Sequence, residues 1–199
     1  NKIKNKKLVT MVGFQQRFNP IIKDIKNIIS KHTLGPVINA NFQWHTYLPD
    51  HHKYENYKNS YAAKNELGGG VTYSLIHEID LMQLFLGMPK SVIAIKNSIK
   101  KISINAEENI QAFFKFKNKD NNFSCSLSLS FSEKGNSRHF KIIFKKGSII
   151  CDLENNNYIV YKKNKIIKKK KIKQKRNELF LEEIRSYVES VKKSRESDI

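Results

Sequence analysis

Between residues 109 and 161 the chain keeps repeating one pattern, an apolar run rich in Ile, Val, Leu and Phe followed by a few residues of Asn, Asp, Gly, Lys or Ser. The runs fall at 109–116, 123–131, 139–144, 148–153 and 158–161. The turns between them read NKDNN (118–122), EKGNS (133–137), KKG (145–147) and ENNN (154–157). Such residues supply the dihedral angles that turns demand. Strands joined by so few residues pair antiparallel, because a parallel return needs a crossover of about a dozen residues or more. A further run at 91–95 adds a strand before them. These segments commit about a fifth of the chain to a sheet.

The rest of the sequence supplies a long strand and several helices. Residues 37–48, VINANFQWHTYL, alternate and favour β-formers, which predicts a strand of that length. Asn19 and Pro20 open a helix, with Asn19 capping and Pro20 suited to the first helical position. Ile21, Ile22, Ile25, Ile28 and Ile29 then recur at helical spacing until Gly35 and Pro36 stop the pattern. A second helix is expected over 71–85, ended by Gly87 and Pro89, and a third over 177–192. Residues 7–13, KLVTMVG, suit a buried strand, 49–59 a polar loop, and 60–65 a single helical turn. The expected fold is α+β: a large, mostly antiparallel open sheet with helices packed on one face. Phe113, Leu127 and Leu129 are expected to make the other face a partner surface.

A chain of 199 residues has room for one sizeable domain, or one domain with remnants of a neighbour. Its formal charge of +19 points first to nucleic acid or an anionic membrane, and residues 161–176 are the densest basic run. The lysines, however, come with abundant Asn and Ile along the whole chain. Arginine and stacking aromatics are not concentrated in that run, so neither nucleic acid nor membrane is the expected partner. An anionic substrate such as a nucleotide sugar would use the same field. The best apolar stretch, 81–87, falls far short of the roughly 20 residues a bilayer requires. Cys125 and Cys151 each lie in a strand-like run without a second ligand nearby, which fits buried thiols of a reducing cytoplasm and no metal site.

Chemistry concentrates in residues 66–80, ELGGGVTYSLIHEID. Gly68, Gly69 and Gly70 remove every side chain from a stretch of backbone, which serves either a close-approaching ligand or a flexible turn. They lead into a helix start, where free N–H groups favour anionic or electron-rich atoms. On that helix Tyr73, His77 and Asp80 are spaced to form one polar stripe, opposite Leu75, Ile79, Met82 and Leu86. Histidine titrates near neutral pH and suits the removal of a proton from a hydroxyl. A lone histidine serves packing as readily.

VGFQQRFNP, LGPV opening a long strand, YLPDHHKYENYKNSYAAKNELGGG and HEID together resemble the Gfo/Idh/MocA oxidoreductases, notably the sugar and nucleotide-sugar branch. The resemblance runs from about Val12 to the last helix, whose NELFLEEI is also similar. It implies NAD or NADP as cofactor, bound mainly by an N-terminal Rossmann domain that this chain lacks: neither G-x-G-x-x-G nor Glu-Lys-Pro occurs. Residues 1–18 then correspond to a remnant of that domain and its last strand. Residues 19–199 correspond to the substrate-binding domain, truncated at its C-terminal end.

By the same resemblance His77 matches the catalytic histidine, and Arg17 with Phe18 matches the motif entering the second domain. Tyr61 and Lys64 match substrate-facing residues, and Tyr47, Asp50 and His52 fall in the variable substrate loop. Arg17 and Tyr73 join the substrate set, and Gly68, Gly69 and Gly70 the cofactor side. Where this branch carries an acidic residue three before the histidine, this chain has Ser74, which offers only a neutral hydroxyl. Either the histidine then works alone with lower efficiency, or Asp80 or Glu78 substitutes, or the copy is impaired. The implied protein transfers hydride at a sugar-ring carbon and assembles as a dimer or tetramer through the sheet face. The alternative is a catalytically degenerate binding or assembly module of the same fold.

Overall fold

Strand β1 (Val37–Tyr47) is the axis of the fold, because it pairs on both sides with strands far from it in sequence. The computed structural model describes residues 8–51, 54–98, 100, 102–117 and 121–193. After β1 come β2 (Ser91–Asn97), β3 (Asn109–Lys117), β4 (Asn122–Ser130) and β5 (Ser132–Phe144). They are followed by β6 (Gly147–Asp152), β7 (Asn157–Lys162) and β8 (Lys165–Lys171). They form one eight-stranded sheet in the order β2-β3-β4-β1-β5-β6-β7-β8. Every pairing is antiparallel except β1 with β4, which is parallel. That exception is possible because the 74 residues between Tyr47 and Asn122 supply the crossover.

The register divides the sheet into two unlike faces. Phe42 stands beside Leu127 on β4 and Phe140 on β5, and Ala40 beside Cys125 and Ile142. All six are buried. The other face of the same strands carries Asn39, Asn41 and Gln43 beside Ser124, Ser126 and Ser128. Leu127 and Leu129 are therefore core residues, a correction to their expected place on the partner surface. Period-two alternation fixes which residues share a face but not which face is covered. Phe113 does lie on the open face and is 62% exposed.

Helices α1 (Pro20–Ser30), α2 (Val71–Ser74), α3 (His77–Leu86) and α4 (Arg176–Lys192) complete the chain. The Asn19 side chain accepts from the Ile21 amide at 2.9 Å and so caps α1, as its sequence predicts. Ile21, Ile22 and Ile25 are fully buried. Asp24 ties α1 to the far end of the sheet by accepting from Tyr158 Oη at 3.0 Å and Lys170 Nζ at 2.7 Å. Helix α3 lies over the centre, where Phe85 packs on Phe140 with ring centroids 5.4 Å apart, and Phe140 stacks on Phe42.

Three local expectations change. Residues 8–14 form no strand: a strand needs a neighbouring strand, and the hydrogen bonds of this segment are local or to a helix, Phe14 N to Val12 O, Arg17 N to Phe14 O and the Tyr187 hydroxyl to Val9 O. Lys7, which opened the expected strand, lies outside the described residues. Residues 133–137 belong to β5 rather than to a turn. Between His45 and Tyr47 the register slips, β5 advancing five residues for two of β1, and Gly135 at φ +94° lies in the slip. The helix expected over 71–85 is two helices, because the chain leaves helical geometry at Leu75 (φ −104°, ψ 29°). Leu75 and Glu78, on either side of the break, are both buried.

The face assignment predicts unequal costs. Leu127→Ala should lower the unfolding free energy by about 2–5 kcal/mol in urea titrations. Phe113→Ser on the open face should stay within about 0.5 kcal/mol for the monomeric chain.

Candidate functional site

Three segments meet at the start of α3. The first turn of that helix carries His77, Glu78 and Asp80; β1 contributes Trp44; β5 contributes Arg138, the register partner of Trp44. The incoming chain brings Phe14 and Arg17, the latter in a short 3-10 turn (Gln15–Phe18). Arg17 grips Asp80 through Nε at 3.0 Å from both carboxylate oxygens and Nη2 at 2.6 Å from Oδ1. Arg138 Nε donates to Glu78 Oε1 at 2.6 Å, and the guanidinium carbon lies 3.9 Å from the centre of the Trp44 ring. The Glu78 and Asp80 side chains are each only 2% exposed. Two buried carboxylates on one helix turn are thus each held by an arginine from another segment, which offsets the cost of burying them.

His77 sits between these pairs, half-buried, against Trp44 (centroids 6.4 Å, planes 32° apart) and edge-on to Phe14 at 6.2 Å. Burial pushes its imidazole down to about 4, and the Arg138 charge adds to that, while Asp80 acts in the opposite direction. The ring is therefore neutral at pH 7. Burial raises the Glu78 carboxyl, with Arg138 pulling against it. His77 Nδ1, Ser74 Oγ, Glu78 Oε2 and Arg138 Nη2 are buried without a hydrogen-bond partner. Ser74 thus makes no bond to His77, and the charged neighbours of the imidazole are Arg138 and Asp80.

The residues singled out from sequence do not all gather here. Arg17 faces Asp80, so its side chain is committed to a structural pair. Tyr73 and Tyr61 are 65% and 54% exposed, Lys64 is half-buried and Asp50 exposed. Among the described residues no hydrogen bond, ion pair or ring contact joins these four to His77. Tyr73 and Asp80 do not share a stripe with His77, because the break after α2 turns Tyr73 outward and Asp80 inward. Tyr47 lies under Lys134, whose ammonium is 5.8 Å from the ring centre. His52 lies outside the described residues. Its neighbour His51 faces Trp44 at 6.4 Å, and a Thr46 hydroxyl lies 3.0 Å from its Nε2.

The glycine triplet meets the chain itself. A Cβ on Gly69 would lie 2.7 Å from the carbonyl oxygens of Ala62 and Lys64 and against that of Tyr61. One on Gly70, at φ +94°, would run into the Glu107 carboxylate. The amides that open α2 are also taken, Val71 N by Glu107 O at 3.1 Å and Thr72 N by Glu107 Oε1 at 3.2 Å. The place of the anion expected at this helix start is thus taken by Glu107. Trp44, Arg138 and Phe14 escaped the sequence analysis. One signal was available for Arg138: only five residues of this lysine-rich chain are Arg.

Comparison with known proteins gives a consistent family. The model described as the GFO/IDH/MocA C-terminal domain matches residues 22–150. Among solved structures, levoglucosan dehydrogenase in complex with NADH and levoglucosan is similar at TM-score 0.81 and 15% identity, over 98% of this chain and 60% of that one. A UDP-N-acetylglucosamine 3-dehydrogenase from Acidithiobacillus ferrooxidans is similar at TM-score 0.72 and 15% identity, over 98% and 56%. An oxidoreductase from Agrobacterium radiobacter, in complex with NAD+, L-tartaric acid and magnesium, reaches TM-score 0.78 at 15% identity, over 98% and 58%. This chain therefore spans about three fifths of the length of these solved relatives. No curated protein matches it in sequence.

The lowered His77 value makes stability depend on pH with a definite sign. The unfolded chain takes up a proton near 6.5 and the folded chain near 4, so the contribution of neutral His77 is complete above 6.5 and lost as pH falls toward 4. Denaturant titrations between pH 4 and 7 should show His77→Gln losing on the order of 2 kcal/mol of that pH dependence, after discounting for partial solvent screening.

Proposed function

The chain belongs to the GFO/IDH/MocA family, and from that membership we propose that it forms the substrate side of an NAD(P)-dependent oxidoreductase acting on a sugar or nucleotide sugar. The observation that carries this is His77: a neutral imidazole at the first turn of α3, seated between aromatic rings and two arginine–carboxylate pairs. Such a ring accepts the proton of a substrate hydroxyl as the carbon bearing it is oxidised to a carbonyl. It returns the proton in the reverse direction.

The nicotinamide supplies the redox half of that exchange. Its adenine, ribose and pyrophosphate would be held by residues outside this chain, since Gly69 and Gly70 are filled from within and no phosphate-binding glycine loop is present. Tyr47, Asp50, His52, Tyr61, Lys64 and Tyr73 lie on the segments between β1 and α3 and would contact the sugar from that side. Arg17 would act through Asp80, by holding α3 in place. Exposed Ile93, Ile95 and Phe113 on the open sheet face give a surface on which copies of the chain would meet as a dimer or tetramer. Cys125 and Cys151 are free and buried, and among the described residues no helix is long and apolar enough to cross a membrane. Free buried thiols fit the reducing cytoplasm in which the enzyme is proposed to act.

A degenerate module remains the second reading, because the Ser74 hydroxyl makes no bond to His77. The two separate in the full-length protein. Assayed by NAD(P)H absorbance against a panel of sugars and nucleotide sugars, wild type should turn over, and His77→Ala should lower kcat by about 10²–10⁴-fold. A wild type that binds a sugar without turnover, and gains activity on Ser74→Asp, would establish the module instead. The isolated 199-residue chain should not bind NADH, and micromolar affinity in a fluorescence titration would contradict the placement of the cofactor.

A further inference from the structure

We propose that Arg138, which stands on β5 and is absent from every motif noted in the sequence, is the positioning residue of the proton-transfer site. It fixes the wall against which His77 leans and the charge that His77 experiences. The proposal builds on the assignment of His77 as the acid/base.

Arg138 touches both groups that flank the imidazole. Its Nε holds Glu78, the residue directly after His77, at 2.6 Å, so the first turn of α3 cannot rotate without breaking a buried ion pair. Its guanidinium plane covers Trp44 at 3.9 Å, and Trp44 is the ring beside which His77 lies. Strand pairing places Arg138 directly opposite Trp44, so the stack is set by the β1–β5 register. The side chain is 11% exposed. Lysine could not replace it on geometry: a planar fork can donate to a carboxylate and stack on an indole at once, whereas an ammonium is a point charge. In a chain with 37 basic residues, of which five are Arg, the rarer type occupies both buried carboxylate pairs.

The charges around His77 can be named from each packed element. β5 brings Arg138; α3 itself brings Asp80, already paired with Arg17 of the 3-10 turn, and Glu78, paired with Arg138. β1 brings only the Trp44 ring, residues 8–14 bring Phe14, and His51 lies across Trp44. Among the described residues Arg138 and Asp80 are the charges that act on His77, and the partner carboxylate of Arg138 keeps one oxygen, Oε2, without a hydrogen bond.

The test is NMR titration of the histidine-labelled 199-residue chain, without substrate or cofactor, in wild type, Arg138→Lys and the double variant Glu78→Leu/Arg138→Met. The double variant replaces the buried pair by apolar groups of similar volume, a change that folded proteins usually tolerate. Its His77 midpoint should rise by about one pH unit, while the other histidines stay unchanged. In Arg138→Lys the charge persists and the midpoint should hold, but the nuclear Overhauser contact between His77 and Trp44 should weaken as the stack is lost. An unchanged midpoint in a folded double variant overturns the charge role. An intact His77–Trp44 contact in Arg138→Lys overturns the positioning role, and it decides the matter if the double variant fails to fold. Because no turnover is measured, failure here leaves the oxidoreductase assignment standing, and an inactive full-length enzyme with the expected titrations would sink that assignment alone.

Discussion

Two carboxylates buried on one turn of α3, each claimed by an arginine from another part of the chain, are the interaction on which the site depends. Removing a carboxylate from water costs several kcal/mol, and only a close, well-hydrogen-bonded partner offsets it. Asp80 finds that partner in the segment entering the domain and Glu78 finds it in the sheet. The helix is thereby pinned on two sides, and His77, directly before the two pinned residues, has little freedom to be anywhere else. A helix held by apolar contacts alone would tolerate sliding of a fraction of a turn. One held by two short ion pairs does not.

Much of the sheet was legible because its signals are local. Turn residues at short intervals dictate the antiparallel hairpins β3–β4, β5–β6 and β6–β7, and the Asn19 cap with its isoleucine spacing specifies α1; the pairing expected of β4 with β5 does not form, because β1 inserts between them. What stayed hidden was non-local. The parallel pairing of β1 with β4 depends on a crossover whose end point no residue of either strand announces. The helices that decide which face is buried lie far from Leu127 in sequence. Residues 133–137 look like a turn from Gly135 and their polarity, yet Thr46 donates to Asn136 at 2.7 Å and β1 keeps them in the sheet. The break at Leu75 carries neither Gly nor Pro.

At the site the histidine was visible and its environment was not. The spacing of Tyr73, His77 and Asp80 presumes a continuous helix, so it joined an exposed tyrosine to a buried aspartate. The glycines were visible too, but at two of them the cause is internal: backbone carbonyls at Gly69 and the Glu107 carboxylate at Gly70 fill the space a side chain would need. A glycine demanded by the chain's own close approach looks, in sequence, the same as one demanded by a ligand. The lysines behave in the opposite way. They are conspicuous in sequence, yet five of the seven residues of β8 are Lys on an edge strand, where like charges discourage pairing with another sheet.

The chemistry of His77 follows from how the fold weighs burial against charge. Burial and Arg138 disfavour the imidazolium, and Asp80 favours it but is already engaged by Arg17. An imidazole in that balance is neutral before reaction, which a proton acceptor must be, yet is only weakly basic. In the proposed reaction it would take the hydroxyl proton as hydride leaves the carbon, so that no free alkoxide forms. The same balance means that any motion moving Asp80 from Arg17, or Arg138 from Glu78, alters the proton affinity of the ring. The ion pairs that hold the helix in place are therefore also what sets the acid–base character of the residue they surround.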